Sequence, residues 1–291
     1  MGFCSFNSFY LSGKIAIIHS PHQNPNQRQV HGRTKLMKQQ FLQKPSVLVA
    51  NTPEYWDRRF ERDYPLAPTA VRKRMTKKRY QKGCEKFGRN VFDHYRKLLS
   101  NMPPGDFWII GAGNLDDTRD VIVYARSLGF RVFVADWSRV VVSNIRRFFR
   151  DILNDPAGAK TNVHHADLVQ ALNELVDYAE TRVIHLSRIL DHVDPNQREE
   201  VARILAHQRS STQHLYLTIV NHDTDDNLHW VDKWKTVFPF NNNEFIALLS
   251  ELNGSEIYVL AESEPWEVFT EIFRTTTAYL PPFGGVEPRG E

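Results

Sequence analysis

Two glycines and one aspartate are the residues of this chain whose types and spacing most clearly indicate chemistry. Gly111 and Gly113 directly follow an apolar run, and Asp136 ends a second apolar run twenty-five residues after Gly111. Glycines at the end of a strand let the backbone approach a ligand closely, and a carboxylate can hold two ribose hydroxyls. The spacing predicts a site for a nucleotide-type ligand in a βαβ unit. A tight turn followed by a helix-capping aspartate is the simpler alternative.

A second group of residues could move a proton. Asp191 and His192 follow a predicted strand, and histidine is the side chain most often used as a general base. Local capping by Asp191, with His192 in a loop, is the alternative. The sequence Asn221-His222-Asp223 after the next predicted strand is a second candidate group.

The second candidate group also admits a metal. Asp191 and Asp223 could together hold a hard divalent cation, and Asp225, Asp226 and His229 lie close by in the sequence. Acidic clusters in loops are more commonly solvated. We therefore expect no metal.

These residues need a scaffold that brings the ends of several strands together. Short apolar runs alternate with helical patterns along most of the chain. The predicted strands are residues 107–110, 131–135, 161–165, 182–186, 215–221, 256–261 and 273–279. The predicted helices are residues 118–128 (capped by Asp116 or Asp117), 138–153 (capped by Ser138), 168–178, 195–207 and a last one, capped by Asn241 or Asn243, that ends at residue 252.

This alternation predicts the fold class. Helices of about 10–15 residues between strands imply a parallel sheet with helices on both faces. The last two strands have no full helix between them and predict an antiparallel finish. We therefore predict an α/β fold with a doubly wound, mostly parallel, seven-stranded Rossmann-like sheet, preceded by a basic helical N-terminal segment. Such sheets bind ligands outside the carboxyl ends of their strands, where the candidate residues lie.

Changes in composition divide the chain into four parts. Residues 1–52 contain no Asp or Glu and are predicted to form a flexible arm. Residues 53–104 form a basic helical segment, a lid or substrate segment, that ends in Pro103-Pro104-Gly105. Residues 105–282 carry the α/β domain, and residues 283–291 form a C-terminal tail.

The glycine turn distinguishes between two kinds of ligand. A typical NAD site has a third glycine, which packs the helix on the strand, and this chain has Asp116 at that position. An acid there would face the pyrophosphate at the start of the helix, which is electrostatically unfavourable. S-adenosylmethionine carries a positive sulfonium and an amine and meets no such repulsion. The pattern therefore favours S-adenosylmethionine over a dinucleotide.

With these motifs the chain resembles the class I (Rossmann-like) S-adenosylmethionine-dependent methyltransferases, over roughly residues 54–280. The stretches that carry the resemblance are residues 55–60, 110–114, 134–138, 165–168 and 183–193. The resemblance implies a one-carbon transferase that uses S-adenosylmethionine and releases S-adenosylhomocysteine. Residues 105–282 would be its S-adenosylmethionine-binding methyltransferase domain.

The resemblance also implies roles for individual residues. Asp136 would bind the ribose, Trp137 would flank the adenine, and Asp167 would accept a hydrogen bond from the adenine amine. The residues implied to bind the cofactor are Gly111, Ala112, Gly113, Asn114, Asp136, Trp137, Asp167, Leu168, Ser187 and Arg188. We predict His192 and Asp191 as the catalytic pair, and Tyr55, Trp56 and His222 as residues that contact the substrate.

The chain departs from the family pattern at one position. The family usually has an acid two residues before the first glycine, where this chain has Ile109. The expected contact with the amine of the cofactor is therefore weakened unless Asp116 or Asp117 replaces it. A non-catalytic binding protein that retains the methyltransferase fold is the hypothesis consistent with this loss.

A basic segment leaves the class of acceptor open. Residues 71–97 contain eleven Lys or Arg and two acids, with Tyr80 and Phe87 interleaved. Such a face could bind the phosphates of RNA, although a solvated helix is the simpler alternative. In contrast, residues 187–192 resemble small-molecule methyltransferases, and neither the Asn/Asp-Pro-Pro-aromatic motif nor the Lys-Asp-Lys-Glu tetrad of RNA-methylating enzymes can be placed. We predict transfer to an oxygen or nitrogen of a small molecule, with RNA as the alternative.

Composition bounds the surroundings of the protein. Hydrophobic residues make up 41% of the chain, the net charge is +3, and no apolar stretch approaches the roughly 20 residues that span a bilayer. We therefore expect no membrane partner. Cys4 and Cys84 lie too far apart in sequence to suggest a ligand pair, which favours a reducing compartment such as the cytoplasm. The acid-free N-terminus leaves organellar transit open, and the sequence does not specify the oligomeric state.

Overall fold

A mixed β-sheet organises the described part of the chain. The computed structural model describes residues 52–63, 91–113, 118–208, 212–222, 230–232, 235–253, 258–262, 266–268 and 271–282. The strands are β1 (Asp106–Ile110), β2 (Arg131–Asp136), β3 (Val163–His165), β4 (Thr181–Ser187), β5 (His214–His222), β6 (Trp230–Asp232), β7 (Lys235–Val237), β8 (Tyr258–Glu262), β9 (Trp266–Val268) and β10 (Glu271–Leu280).

The order of the strands creates a switch point at the centre of the sheet. Seven strands run in the order β3-β2-β1-β4-β5-β10-β8. The first five are parallel, and β10 is antiparallel to both β5 and β8. Strand β9 pairs with β10 beside this path, and β6 and β7 form a separate hairpin. The chain leaves β1 toward β2 and returns to β4 on the other side, so a crevice is expected where β1 and β4 end.

Helices cover both faces of the sheet. The helices are α1 (Pro53–Asp63), α2 (residues 91–100), α3 (Arg119–Ser127), α4 (Arg139–Asp151), α5 (Gly158–Thr161), α6 (Leu168–Gln170), α7 (Pro195–Gln208) and α8 (Asn242–Asn253). Helices α2, α3 and α4 pack in one core with Phe107, Ile109 and Val183. Helices α6, α7 and α8 pack in the opposite core with Trp108, Ile110 and Ile184. Alternate residues of each strand thus serve opposite cores, as a sheet buried on both faces requires.

Helix α4 illustrates how the sequence forms these elements. Its buried side chains are Val141, Val142, Ile145, Phe148 and Phe149, which recur at the spacing of one helical face. Ser138 caps the helix, since its hydroxyl oxygen accepts a hydrogen bond from the Val141 amide. A cap of this kind stabilises a helix by about 1 kcal/mol. The helix therefore begins directly after β2, at the edge that carries Asp136.

The structure confirms the predicted sheet, its antiparallel finish and the cap at Asn241. The Asn241 side chain accepts from the amide of Glu244, and the Glu244 carboxylate accepts in return from the amide of Asn241. This reciprocal arrangement is a capping box. The predicted caps Asp116 and Asp117, the arm up to residue 51 and residues 64–90 of the basic segment lie outside the described residues.

Three predicted boundaries were wrong. The helix predicted for residues 168–178 is α-helical only to Gln170 and continues as a π-helical turn, Ala171–Leu175. It stops there because Val176 is extended and because Asp177 accepts from the Ala179 amide instead of continuing the helix. The strand predicted from Thr161 begins at Val163, since Asp155 accepts from the Gly158 amide and residues through Thr161 form α5. The helix predicted to reach residue 153 ends at Asp151.

Short strands escaped the sequence analysis. Strands β6, β7 and β9 have three residues each, which is too short for an alternating pattern to be recognised.

Within the described ranges, none of the helices has the length and apolar character to cross a membrane.

Candidate functional site

The glycine turn begins where β1 ends. Gly111 and Gly113 have φ angles of +77° and +53°, which glycine adopts without strain. The Gly111 amide donates to the Ala135 carbonyl at 2.9 Å, which fixes the turn to β2. A Cβ at position 111 would lie 2.8 Å from Cβ of Ile189 and 3.0 Å from the Ser187 carbonyl oxygen. The turn therefore packs against the chain that leaves β4, across the switch point.

Asp136 joins the glycine turn to the start of α4. Its two carboxylate oxygens accept from the amides of Gly113 at 3.0 Å and Ser138 at 2.9 Å. Burial raises the pKa of this carboxyl to about 6, the two amides oppose that rise, and the nearby charge of Asp57 adds to it. An ionised carboxylate has about four acceptor sites, so two amides leave capacity for two ribose hydroxyls.

Helix α1 attaches to the same edge through Asp57. One carboxylate oxygen of Asp57 accepts from the Ser138 hydroxyl at 2.7 Å and from the Val140 amide at 3.2 Å. A negative charge at the N-terminus of a helix is favourable, because the first amides of the helix have no partner within it. Asp57 therefore anchors α1 on the first turn of α4, next to Asp136.

The aromatic side chains of α1 cover the glycine turn and the candidate base. The ring of Trp56 lies 4.8 Å from the ring of His192, edge to face, and 5.9 Å from Phe60. Tyr55 meets Trp56 edge to face at 5.3 Å. Phe60 is the side chain nearest Gly113, 3.7 Å from where a Cβ would stand. Helix α1 thus spans the distance between the turn after β1 and the turn after β4.

The segment after β4 carries the candidate base. Ser187 is buried at the end of the strand, Arg188 is exposed, and Leu190–His192 forms a 3₁₀ turn. The Asp191 carboxylate is fully buried, and one of its oxygens lies 3.5 Å from Nε2 of the His192 imidazole. The predicted pair therefore lies together at the strand edge, beneath Trp56.

Arg198 of α7 fixes this turn from below. It is 5% exposed, and its guanidinium donates to the carbonyls of Leu190, at 2.9 Å, and Phe238. It also lies over the ring of Phe240, 4.0 Å from the centroid. Burial lowers the pKa of Arg198 to about 10, and the neighbouring acids, Glu244 first, oppose that fall. The guanidinium therefore remains charged at neutral pH and holds the 3₁₀ turn to the core.

The other predicted residues lie at the same edge or just behind it. Asp167 caps α6 by accepting from the Gln170 amide at 2.7 Å, and Leu168 beside it is buried. Trp137 is half-buried, with its carbonyl 2.9 Å from Nε2 of His165. Ala112 is buried in the core, and so is His222 at the end of β5. Asn114 lies outside the described residues.

Ile109 is a core residue in this fold. It is fully buried and pairs in register with Val134 of β2 and His185 of β4. The chain therefore presents no carboxylate at the position where the family usually has an acid. Asp116 and Asp117, the suggested replacements, lie outside the described residues.

The metal and RNA hypotheses concern segments that the structure covers only in part. No group of three or more His, Cys, Asp or Glu side chains that could hold a metal occurs within the described ranges. Asp223, Asp225, Asp226 and His229 fall outside those ranges, as do residues 71–90 of the basic segment.

Two side chains on which the geometry of the site depends, Asp57 and Arg198, are not recognisable as site residues from the sequence. Asp57 lies within the stretch that resembles the family's lid segment, but nothing in that stretch indicates its bond to Ser138. Arg198 has no signal of its own, since arginine is common on the exposed face of a helix. Its position three residues into a helix that starts at Pro195 is compatible with an exposed residue.

Comparisons with known proteins find remote similarity to solved structures of methyltransferases. A complex of DhpI with S-adenosylhomocysteine is 16% identical and covers 83% of this chain and 98% of that one, with a TM-score of 0.47. Geranyl diphosphate C-methyltransferase from Streptomyces coelicolor A3(2) is 11% identical over 82% of this chain and 100% of that one, with a TM-score of 0.47. A putative methyltransferase from Thermobifida fusca YX is 14% identical over 69% and 83%, with a TM-score of 0.48. No protein-family model and no curated protein sequence matches the chain.

Proposed function

We propose that this protein is an S-adenosylmethionine-dependent methyltransferase that methylates an oxygen or nitrogen of a small molecule. The observation that carries the proposal is the hydrogen bond from the Gly113 amide to Asp136. This bond brings the glycine turn and the predicted ribose-binding acid together at the switch point, where such sheets bind ligands. The Asp191–His192 pair lies across the same edge, beside Trp56.

The residues present fit the cofactor. Gly111 and Gly113 carry no side chains, Ala112 between them is buried in the core, and Asp136 has acceptor sites left for the ribose hydroxyls. When bound, S-adenosylmethionine supplies an electrophilic methyl group on a positive sulfur. Trp56, Phe60 and Tyr55 of α1 would exclude water from the site and orient the acceptor.

His192 would remove the proton that the acceptor loses. The cofactor, held by the glycine turn and Asp136, would supply the methyl group to the lone pair of an acceptor oxygen or nitrogen, with S-adenosylhomocysteine as the leaving group. The acceptor proton passes to the His192 imidazole, and Asp191 stabilises the imidazolium from 3.5 Å. Because Asp191 is fully buried, solvent screens this interaction little.

Calorimetric titration with S-adenosylmethionine and S-adenosylhomocysteine tests the proposal. We expect both to bind the wild-type protein, and Asp136→Ala to abolish binding. Asp151→Ala removes an exposed acid at the other end of α4 and serves as the control, with unchanged affinity. Absence of binding to wild-type protein at millimolar ligand would refute the proposal.

Turnover assays then separate the acceptor classes. We expect S-adenosylhomocysteine to form with members of a panel of phenols and amines, and His192→Gln to abolish its formation. Turnover with RNA but none of the small molecules would favour the RNA alternative. Cofactor binding without any turnover would favour a non-catalytic binding protein.

A further inference from the structure

One residue of the candidate site, Arg188, has a backbone conformation that is unfavourable for its residue type. It directly follows β4, where the chain passes between the glycine turn and the Asp191–His192 pair. An inference about its ligand rests on the proposed function, because it concerns the same site. Three observations point to the same role: its charge, its backbone conformation and the lack of a partner for its guanidinium among the residues that the structure describes.

Arg188 has a strained backbone. Its φ angle is +52°, in the left-handed region that favours glycine. Among the described residues, the other non-glycine residue with a positive φ is Asn154, at +51°. Asparagine is enriched in this region because its short polar side chain hydrogen-bonds locally, whereas arginine gains nothing there. Backbone strain of this kind clusters at active sites and ligand-binding positions, which makes Arg188 a candidate for a functional role.

The neighbours of Arg188 hold this conformation. Its amide donates to the Thr218 carbonyl of β5 at 2.8 Å. The preceding residue, Ser187, packs against Gly111 through its carbonyl, and the following residue, Ile189, packs against Gly111 through its side chain. The carbonyl of Leu190 accepts from buried Arg198. The backbone on both sides of Arg188 is therefore fixed, and this exposed residue lies in the chain between Ser187, beside the glycine turn, and the Asp191–His192 pair.

The Arg188 guanidinium is exposed and has no ion pair or side-chain hydrogen bond to any residue that the structure describes. Three carboxylates that the structure describes at this edge are engaged with other groups. Asp57 bonds Ser138, Asp136 bonds the amides of Gly113 and Ser138, and Asp191 faces His192. An exposed guanidinium on a fixed backbone, without a partner in the described part of the chain, is suited to bidentate recognition of a carboxylate or phosphate.

We propose that Arg188 binds an anionic group, a carboxylate or a phosphate, within the methyl-transfer site. Two molecules could supply this group: the cofactor, through the carboxylate of its methionine part, or an acidic acceptor. Either would lie between the glycine turn and His192, and Arg188 would fix its position relative to the base.

Three variants separate binding from folding. Arg188→Gly removes both the charge and the strain, so it should fold and should melt about 2 °C or more above the wild-type protein. Asn154→Gly is the matched control, since it relieves a positive φ elsewhere and leaves the site unchanged. Arg188→Lys keeps the charge but not the bidentate geometry and should fall between wild type and Arg188→Gly in anion binding.

Titrations distinguish the two sources of the anion. S-adenosylhomocysteine carries the methionine carboxylate, and 5′-methylthioadenosine lacks it. If Arg188 binds the cofactor, Arg188→Gly weakens S-adenosylhomocysteine by about tenfold or more and leaves 5′-methylthioadenosine unchanged. If Arg188 binds the acceptor, Arg188→Gly binds both nucleosides with wild-type affinity. The wild-type protein saturated with S-adenosylhomocysteine then binds inorganic phosphate or benzoate, and the Arg188→Gly variant does not.

The proposal is overturned if Arg188→Gly binds both nucleosides and both anions with wild-type affinity. It is also overturned if the wild-type protein binds neither anion and Arg188→Gly changes the affinities for the two nucleosides by the same factor. If the wild-type protein binds neither nucleoside, the proposed function fails instead. The anion titrations without a nucleoside then still test Arg188, and equal binding by wild type and Arg188→Gly overturns its assignment.

Discussion

At the scale of single residues, the glycine turn and Asp136 set the geometry of the candidate site. Gly111 lies where the turn after β1 meets the chain after β4, and the space beside it excludes a methyl group. Asp136 is buried next to Asp57, and its charge depends on hydrogen bonds from two backbone amides. Both residues combine a structural constraint with a proposed binding role, so variants must separate the two.

Gly111→Ala should strongly destabilise the protein. The new Cβ would stand 2.8 Å from Ile189 in a backbone with φ of +77°. Strain and overpacking together should lower the free energy of unfolding by about 2–4 kcal/mol. Gly113→Ala is the control: among the described residues its Cβ meets Phe60 alone, at 3.7 Å, so strain should cost about 1–2 kcal/mol. Urea denaturation measures both, and equal effects would contradict the predicted clash.

Cofactor binding should depend on the charge of Asp136. Because burial raises its pKa to about 6, we expect affinity for S-adenosylhomocysteine to fall as pH decreases through about 6, when the carboxylate loses acceptor capacity. Calorimetry between pH 5 and 8 should show this dependence for the wild-type protein and a flatter profile for Asp136→Asn. A wild-type affinity that is constant across this range would contradict the assignment to the ribose.

The same shift predicts the effect of Asp136 on stability. Its pKa in the folded protein lies above the ordinary value of 3.8. Its stabilising contribution is therefore complete below pH 3.8 and is lost as pH rises through about 6. At neutral pH the buried charge is a stability cost, as is common for groups that serve binding.

At the scale of elements, the site depends on how α1 joins the sheet edge. The Asp57 carboxylate caps α4 from another helix, and Trp56 and Phe60 extend from this point toward His192 and the glycine turn. A single hydrogen-bonded side chain therefore helps to position the three aromatic residues that we expect to cover the cofactor and contact the acceptor.

Asp57→Ala should loosen α1 without unfolding the sheet. Loss of the hydrogen bonds to Ser138 and Val140 should weaken the attachment of α1 to the sheet edge by about 1–2 kcal/mol. Hydrogen exchange should then become faster in α1 and little changed in β1 and β4. Glu61→Ala, at an exposed acid of the same helix, is the control. Equal exchange in both variants would show that Asp57 does not anchor α1.

At the scale of the whole molecule, the core that faces α2 contains a polar network. Nε2 of His185 lies 2.9 Å from the Thr218 hydroxyl, which lies 3.0 Å from that of Thr277. Nδ1 of His94 on α2 lies 2.8 Å from the Tyr216 hydroxyl. Burial lowers the pKa of His185 to about 3 and that of His94 to about 4. Both histidines are therefore neutral in the folded protein at ordinary pH.

These buried histidines should make the protein acid-labile. Below pH 6.5 the unfolded chain takes up a proton at His185 and the folded chain does not, so stability present above pH 6.5 is lost as pH falls toward 3. As pH decreases, the free energy of unfolding should fall more steeply for wild type than for His185→Gln. The two slopes should differ by up to about 1.4 kcal/mol per pH unit. Urea denaturation between pH 7 and 4 measures this slope. His165→Gln, at an exposed histidine, is the control, and a His185→Gln slope equal to that of wild type would contradict the prediction.

The sequence by itself determined the succession of the seven strands of the main sheet path and of the helices between them, the glycine turn, and the placement of Asp136, Asp191 and His192 at strand ends. Those features follow from hydrophobic periodicity and turn chemistry, which are properties of neighbouring residues. Only the tertiary structure decided that Asp57 caps α4, that Arg198 holds the 3₁₀ turn, and that Arg188 is strained and unpaired among the described residues. The raised pKa of Asp136 and the π-helical end of α6 were likewise set by the fold. Contacts, burial and backbone strain depend on residues distant in sequence, and no local pattern encodes them.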